Sequence, residues 1–68
     1  MDEVQALLAA LRDSPTDLVR VVREIGRRQP ATLCLSRKTV ETWQTRDPAA
    51  WARVRAWLER RGVELKVT

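Results

Sequence analysis

Three prolines divide this 68-residue chain into segments too short to be stable on their own. Asp13-Ser14-Pro15-Thr16 breaks the first amphipathic run, and Pro30 disfavours helix at Gln29. Asp47-Pro48 joins an N-cap acid to a proline at the first helical position, a strong restart signal. Each segment between these breaks must therefore bury its apolar side against the others. A chain of this size buries only ~60% of its unfolded surface, so the core has little surplus. The single cysteine, Cys34, excludes an internal disulfide and a multi-cysteine zinc site. Packing has to hold the fold, as one small domain spanning residues 1–68.

The periodicity predicts mainly helix. Over residues 2–12, Val4, Leu7, Leu8 and Leu11 fall at i, i+3, i+4 and i+7. Asp2 and Glu3 suit the positive end of that helix dipole, and Arg12 suits the other. The second helix is expected from about Thr16 to Arg28, capped by Ser14 or Thr16, with Asp17 in its first turn. Leu18, Val21, Val22 and Ile25 form its buried stripe, broadened by Val19. Gly26 costs roughly 1 kcal/mol against alanine inside a helix, so the last turn is expected to be weak there. A third helix runs from Ser36, a natural N-cap, to near Arg46. Its apolar stripe is narrow, only Val40 and Trp43. The last helix spans Pro48–Arg61, with Trp51, Val54, Trp57 and Leu58 on its buried side and Gly62 placed to end it. Val63-Glu64-Leu65-Lys66-Val67 alternates with period two and reads as a short strand or extended tail, in need of a partner along its edge.

Residues 31–35 allow two readings. Read forward from Pro30, they make one turn of helix and a tight turn into the Ser36 helix. Read as alternation, Leu33 and Leu35 face one way, Thr32 and Cys34 the other, and the segment is a strand. The helical reading is preferred. The expected core is Leu7, Leu8, Leu11, Leu18, Val22, Ile25, Leu35, Val40, Trp43, Val54 and Leu58, with Trp51 and Trp57 at least partly buried.

Composition argues against catalysis. The chain has no histidine, no glycine-rich phosphate loop, no metal-ligand cluster and no supported pair of carboxylates. Cys34, flanked by Leu33 and Leu35, is expected to be a small buried apolar residue rather than a nucleophile. No enzyme activity, metal or cofactor is expected. The start Met1-Asp2-Glu3 is acidic where a secretory signal would be basic, and no apolar run reaches membrane-spanning length. The expected compartment is the cytoplasm, with no membrane partner and no small-molecule substrate.

Charge is distributed unevenly. Residues 1–34 carry five basic and five acidic residues; residues 35–68 carry eight basic and four acidic, the whole of the net +4. That excess, on the half that begins with the Ser36 helix, is the footprint of a polyanion partner on a small basic protein.

Leu35-Ser36-Arg37-Lys38-Thr39-Val40-Glu41-Thr42-Trp43 resembles the turn and recognition helix of helix-turn-helix regulators of the phage-repressor type. Leu35 stands where that family ends its turn, Ser36 where it caps the recognition helix, and Val40 and Trp43 where it anchors the helix to the core. The segment 57–64, closing on Gly62-Val63, is also similar to the end of such domains. The likeness covers about residues 18–64. The family places glycine where this chain has Cys34 and alanine where it has Pro30, so the motif's first helix is either very short or replaced by a strand. The resemblance implies a DNA-binding transcription regulator with helix 36–46 in the major groove. Arg37 and Lys38 would reach guanine edges or phosphates, and Glu41, Thr42 and Thr45 further base edges. Arg46, Arg53 and Arg55 would hold the DNA backbone. Ser36 and the free amides of the helix start could take a phosphate. One such unit contacts few base pairs, which favours a homodimer formed through the C-terminal strand or the N-terminal helix. The alternative is a small protein-interaction module or accessory subunit whose basic face meets an acidic protein surface, such as that of RNA polymerase.

This division of labour on the Ser36 helix predicts that Val40→Ala destabilises the fold by roughly 1–3 kcal/mol through the cavity it leaves, measurable as a lowered urea midpoint.

Overall fold

Four helices and two short strands follow one another in the order α1 (Glu3–Ala10), α2 (Leu18–Arg28), β1 (Thr32–Leu35), α3 (Arg37–Arg46), α4 (Pro48–Arg60) and β2 (Glu64–Val67). This computed structural model describes residues 3–68, so the expected role of Asp2 at the start of α1 lies outside the described residues. The protein is mainly helical, with a two-stranded parallel sheet. α4 is the hub: it packs against α1, α2, α3 and β2. Its Ala50, Trp51, Val54, Trp57 and Leu58 are all buried.

Local chemistry sets most of the boundaries. Asp47 caps α4 by accepting the Ala50 amide at 3.1 Å, and Pro48 opens the helix as its first residue. Gly62, at φ +72°, ends α4. There the Val63 amide reaches back to the Leu58 carbonyl (3.0 Å) and the Gly62 amide to that of Glu59 (3.1 Å). These paired bonds satisfy two of the carbonyls that a helix C-terminus leaves open. α2 runs unbroken through Gly26 to Arg28. A Cβ on Gly26 would meet a Val4 methyl at 3.4 Å, an ordinary van der Waals contact, so α1 packs over this position without needing the glycine. α2 ends at Gln29, which takes a left-handed conformation at φ 51° with its amide on the Ile25 carbonyl. Pro30 then prevents continuation.

Residues 32–35 are a strand, not a turn of helix. β1 pairs in parallel with β2, with Thr32 beside Glu64, Leu33 beside Leu65, Cys34 beside Lys66 and Leu35 beside Val67. Leu33, Leu35 and Leu65 turn toward the core and are half-buried, while Thr32, Cys34, Glu64 and Lys66 face solvent. The expected burial of Cys34 is therefore overturned: alternation sends its thiol outward because its two leucine neighbours face in. Helix 2 also starts later than expected, at Leu18. Asp17 occupies the N-cap position rather than the first turn, and its side chain caps nothing.

The core comprises Leu7, Leu11, Leu18, Val22, Ile25, Val40, Trp43, Ala50, Trp51, Val54, Trp57 and Leu58. Leu8 and Leu35, expected inside, are only half-buried because each lies at the rim of a thin domain. All three tryptophans are buried completely enough to carry much of the core. Trp43 and Trp51 meet with ring centroids 5.2 Å apart and planes tilted by 39°. The Trp43 indole N–H donates to Asp17 Oδ1 at 2.8 Å, tying α3 to the start of α2. The indole N–H groups of Trp51 and Trp57 have no acceptor among the described residues, a cost that ring burial must outweigh.

Ion pairs lie on the surface. Glu24 receives Arg27 and Arg28 within α2, and Glu3 receives Arg60 across α1 and α4. The hydrogen bond from Arg27 holds the Glu24 carboxyl below its ordinary pKa. The support that Glu24 gives α2 is therefore present above the ordinary carboxylate pKa and lost as pH falls through the lowered one.

Asp17→Ala should cost about 1–2 kcal/mol, because it leaves a buried indole donor unpaired. A double-mutant cycle with Trp43→Phe, followed by urea unfolding, should return a coupling of about 1 kcal/mol, whereas additive losses would show that the bond contributes nothing.

Candidate nucleic-acid interface

α3 is built to show most of its surface. Ser36, in an extended conformation, accepts the Thr39 amide at 3.2 Å, and its hydroxyl also meets the Thr39 hydroxyl at 2.8 Å. With the helix started there, successive residues turn by about 100°. Val40 and Trp43 face inward and are buried; Lys38 and Thr45 lie on the opposite side, with Glu41 and Thr42 between them and the flanks. Arg37 and Gln44 occupy one flank and Arg46 the other. All seven of these polar residues are exposed.

Five of the expected contact residues come together. Lys38, Glu41, Thr42, Thr45 and Arg46 line one shallow, open concavity of about 320 Å³ on the outer face of α3. The Thr42 hydroxyl donates to the Lys38 carbonyl at 2.9 Å, which leaves its oxygen lone pairs and methyl available outward. Chemically the concavity offers two cations, one carboxylate and two hydroxyls. This mixture suits hydrogen-bonded recognition of a polar surface rather than an apolar ligand.

The remaining candidates are distributed elsewhere. Arg53 lines a groove between α1 and α4, together with Glu3, Ala6, Leu7 and Arg60. Arg55 lies beside β2, in a groove with Leu58, Glu59, Val63 and Leu65. Two positions apart on a helix, they face different ways. The start of α3 is also less open than expected. Its Arg37 amide donates to the Thr68 carbonyl at 2.9 Å, and its Thr39 amide is taken by Ser36. Two donors thought available for a phosphate are therefore occupied, one by the residue that follows β2. Gln44 is a polar residue of the exposed surface that sequence reasoning passed over, although its spacing from Arg37 and Glu41 marked it.

The charge pattern sharpens on the structure. Of the eight cations in residues 35–68, Arg60 is paired with Glu3 and Arg61 lies over the Trp57 ring at 5.1 Å. Arg37, Lys38, Arg46, Arg53, Arg55 and Lys66 form no ion pair among the described residues. Also among the described residues, no helix is long and apolar enough to cross a membrane, and no cluster of three metal-ligating side chains occurs.

If the Ser36 cap fixes where α3 begins, Ser36→Ala should cost about 1 kcal/mol. Thr42→Ala, which removes only a local back-bond, should stay within about 0.5 kcal/mol of the parent in the same urea titration.

Comparison with protein-family models, with curated proteins and with solved structures found no match to this chain.

Proposed function

We propose that the protein binds DNA through the outer face of α3 and acts as a transcription regulator in the cytoplasm. The observation that carries this reading is the exposed polar face of α3, held by two inward residues and flanked by cations that form no ion pair among the described residues. A ten-residue helix is about 15 Å long and 10–12 Å across with its side chains, which suits a major groove about 12 Å wide. In that position Lys38 and Arg37 reach guanine O6 and N7 or a phosphate. Glu41 accepts from a cytosine amine, and Thr42 and Thr45 touch further base edges. Arg46 contacts the backbone at the far end of the helix, and Ser36 keeps the near end in register. Arg53 and Arg55, which lie on other surfaces, serve backbone contact only where the DNA extends past α3.

A second reading is supported by the open edges of the two-stranded sheet. In it, the same unpaired cations and a strand edge meet an acidic protein surface, and the protein is a small interaction module or accessory subunit.

Retention of the pure protein on random-sequence genomic fragments, at low and near-physiological salt, separates the two. The DNA reading expects a subset of fragments to survive the higher salt. It expects Lys38→Ala or Arg37→Ala to weaken retained complexes by about 1–3 kcal/mol where the residue reads a guanine, or to lower the salt slope by about 1 where it holds a phosphate. Both variants should keep the parent urea midpoint, because these side chains are exposed. Retention at neither salt ends the DNA reading.

A further inference from the structure

The free edge of β2 has a property that the rest of the surface lacks. In a parallel ladder, alternate residues of each strand direct their N–H and C=O toward the neighbour. The Glu64 amide donates to Ala31 O and the Thr68 amide to Leu35 O, both at 2.9 Å, and Thr68 O accepts from Arg37 N. The backbone groups of Glu64, Lys66 and Thr68 are therefore spent on β1 and the start of α3. Those of Leu65 and Val67 point the other way, along with the Val63 carbonyl, and among the described residues no strand lies there. Val67 is the exposed large hydrophobic residue of the described chain, at 46%.

The sequence along that edge is its own antiparallel complement. In Val63-Glu64-Leu65-Lys66-Val67, an antiparallel pairing centred on Leu65 sets Leu65 against Leu65, Val63 against Val67, and Glu64 against Lys66. Both charged residues are exposed and neither forms an ion pair among the described residues. Because Leu65 is an outward-bonding residue, the register that matches the charges also matches the hydrogen bonds. The two Leu65 residues exchange both bonds, and each Val67 amide reaches the Val63 carbonyl of the second copy. The Val63 amide is held by the Leu58 carbonyl, so each outer Val63–Val67 pair keeps one of its two bonds, the one from the Val67 amide. Glu64 and Lys66 then fall at the closer, non-hydrogen-bonded positions, where cross-strand side chains interact most. The groove of Arg55, Leu58, Glu59, Val63 and Leu65 lies beside this edge, with its three apolar residues continuous with the strand. The other edge of the sheet, β1, carries Thr32-Leu33-Cys34-Leu35, with no charge to set a register.

We propose that β2 is a homodimerisation strand, pairing antiparallel with β2 of a second copy about Leu65 to make a four-stranded sheet. This does not rest on nucleic-acid binding. Sedimentation of the full chain without nucleic acid, over a concentration series reaching about 1 mM, should show a reversible monomer–dimer equilibrium. Lys66→Glu or Glu64→Lys replaces two attractive cross-strand pairs by two repulsive ones, and each should weaken the dimer about tenfold or more. An equimolar mixture of the two variants should restore association, because their strands complement each other. The double variant, which swaps the charges, should associate like the parent. Val67→Pro removes an outward donor without touching the β1 ladder, so it should yield monomer with unchanged helical circular dichroism. A parent that stays monomeric throughout, or a dimer indifferent to these variants, overturns the assignment.

Discussion

The position of α3 depends on one side chain. Val40 and Trp43 are its buried residues, and Trp43 also carries a hydrogen bond to another element. Its ring lies against Trp51 and its N–H is fixed by Asp17, so one indole engages the helix after α3 and the residue at the head of α2. Ring contact alone leaves a helix free to roll, since apolar packing is non-directional. A hydrogen bond to a carboxylate fixes the roll, and with it the direction in which Lys38 and Thr45 point. Asp17 stands at the N-cap but its side chain makes that bond instead of a cap, and the first amide of α2, that of Leu18, is met at 3.4 Å by the Thr16 hydroxyl, one of the two caps expected from sequence. The residue at the head of α2 thus sets the attitude of the outer face of α3.

The sheet performs the complementary task at the other end of the helix. Residues 36–63 form the crossover of a parallel strand pair, which antiparallel turns cannot replace. Its closure brings the Thr68 carbonyl to the Arg37 amide. The start of α3 is therefore held by backbone from the end of the chain, and its middle by Trp43. α4 lies beneath both restraints, which is why so much of its surface is apolar. Trp57 is fully enclosed even though its N–H has no acceptor among the described residues, so ring burial outweighs that unmade bond at the centre of the domain.

Features encoded within one turn of chain were legible from sequence. Ser36, Asp47-Pro48 and Gly62-Val63 each act on neighbours a few residues away, and each sits where its chemistry predicts. The stripes of Val40 and Trp43, and of Val54 and Leu58, follow from helical period alone. Residues 31–35 were not legible in the same way. A strand of four residues owes its existence to β2, some thirty positions on, and nothing local in Leu33-Cys34-Leu35 announces that partner. The expected burial of Cys34 came from its two leucine neighbours, and strand alternation is what sends it the other way. Asp17 is a similar case: beside a proline break it looks like helix-start chemistry, while its acceptor role depends on a tryptophan that only the fold brings near. Within the candidate site, period placed Lys38, Glu41, Thr42, Thr45 and Arg46 together. Arg53 and Arg55 were grouped by charge alone, and charge carries no information about which way a helix faces.

The edge of β2 and the face of α3 are joined by geometry even though they stand on separate observations. An antiparallel pair centred on Leu65 has its two-fold axis perpendicular to the sheet, so the helices of both copies lie on the same side. Thr68 is three residues from Leu65, which separates the two Thr68 residues by about 20 Å along the strands at ~3.4 Å per residue. Since each Thr68 carbonyl is bonded to the start of an α3, the two α3 helices begin at opposite ends of the paired strands, related by the same two-fold. On the DNA reading proposed above, two copies of one polar helix face on one side of the proposed four-stranded sheet would offer a two-fold-symmetric duplex site a symmetric pair of helices. A dimer through α1 would leave this relation between strand end and helix start unused, because α1 shares no backbone bond with α3. The bond between Arg37 and Thr68 thus makes the β2 edge, rather than any other surface, the one from which the spacing of the two helices follows.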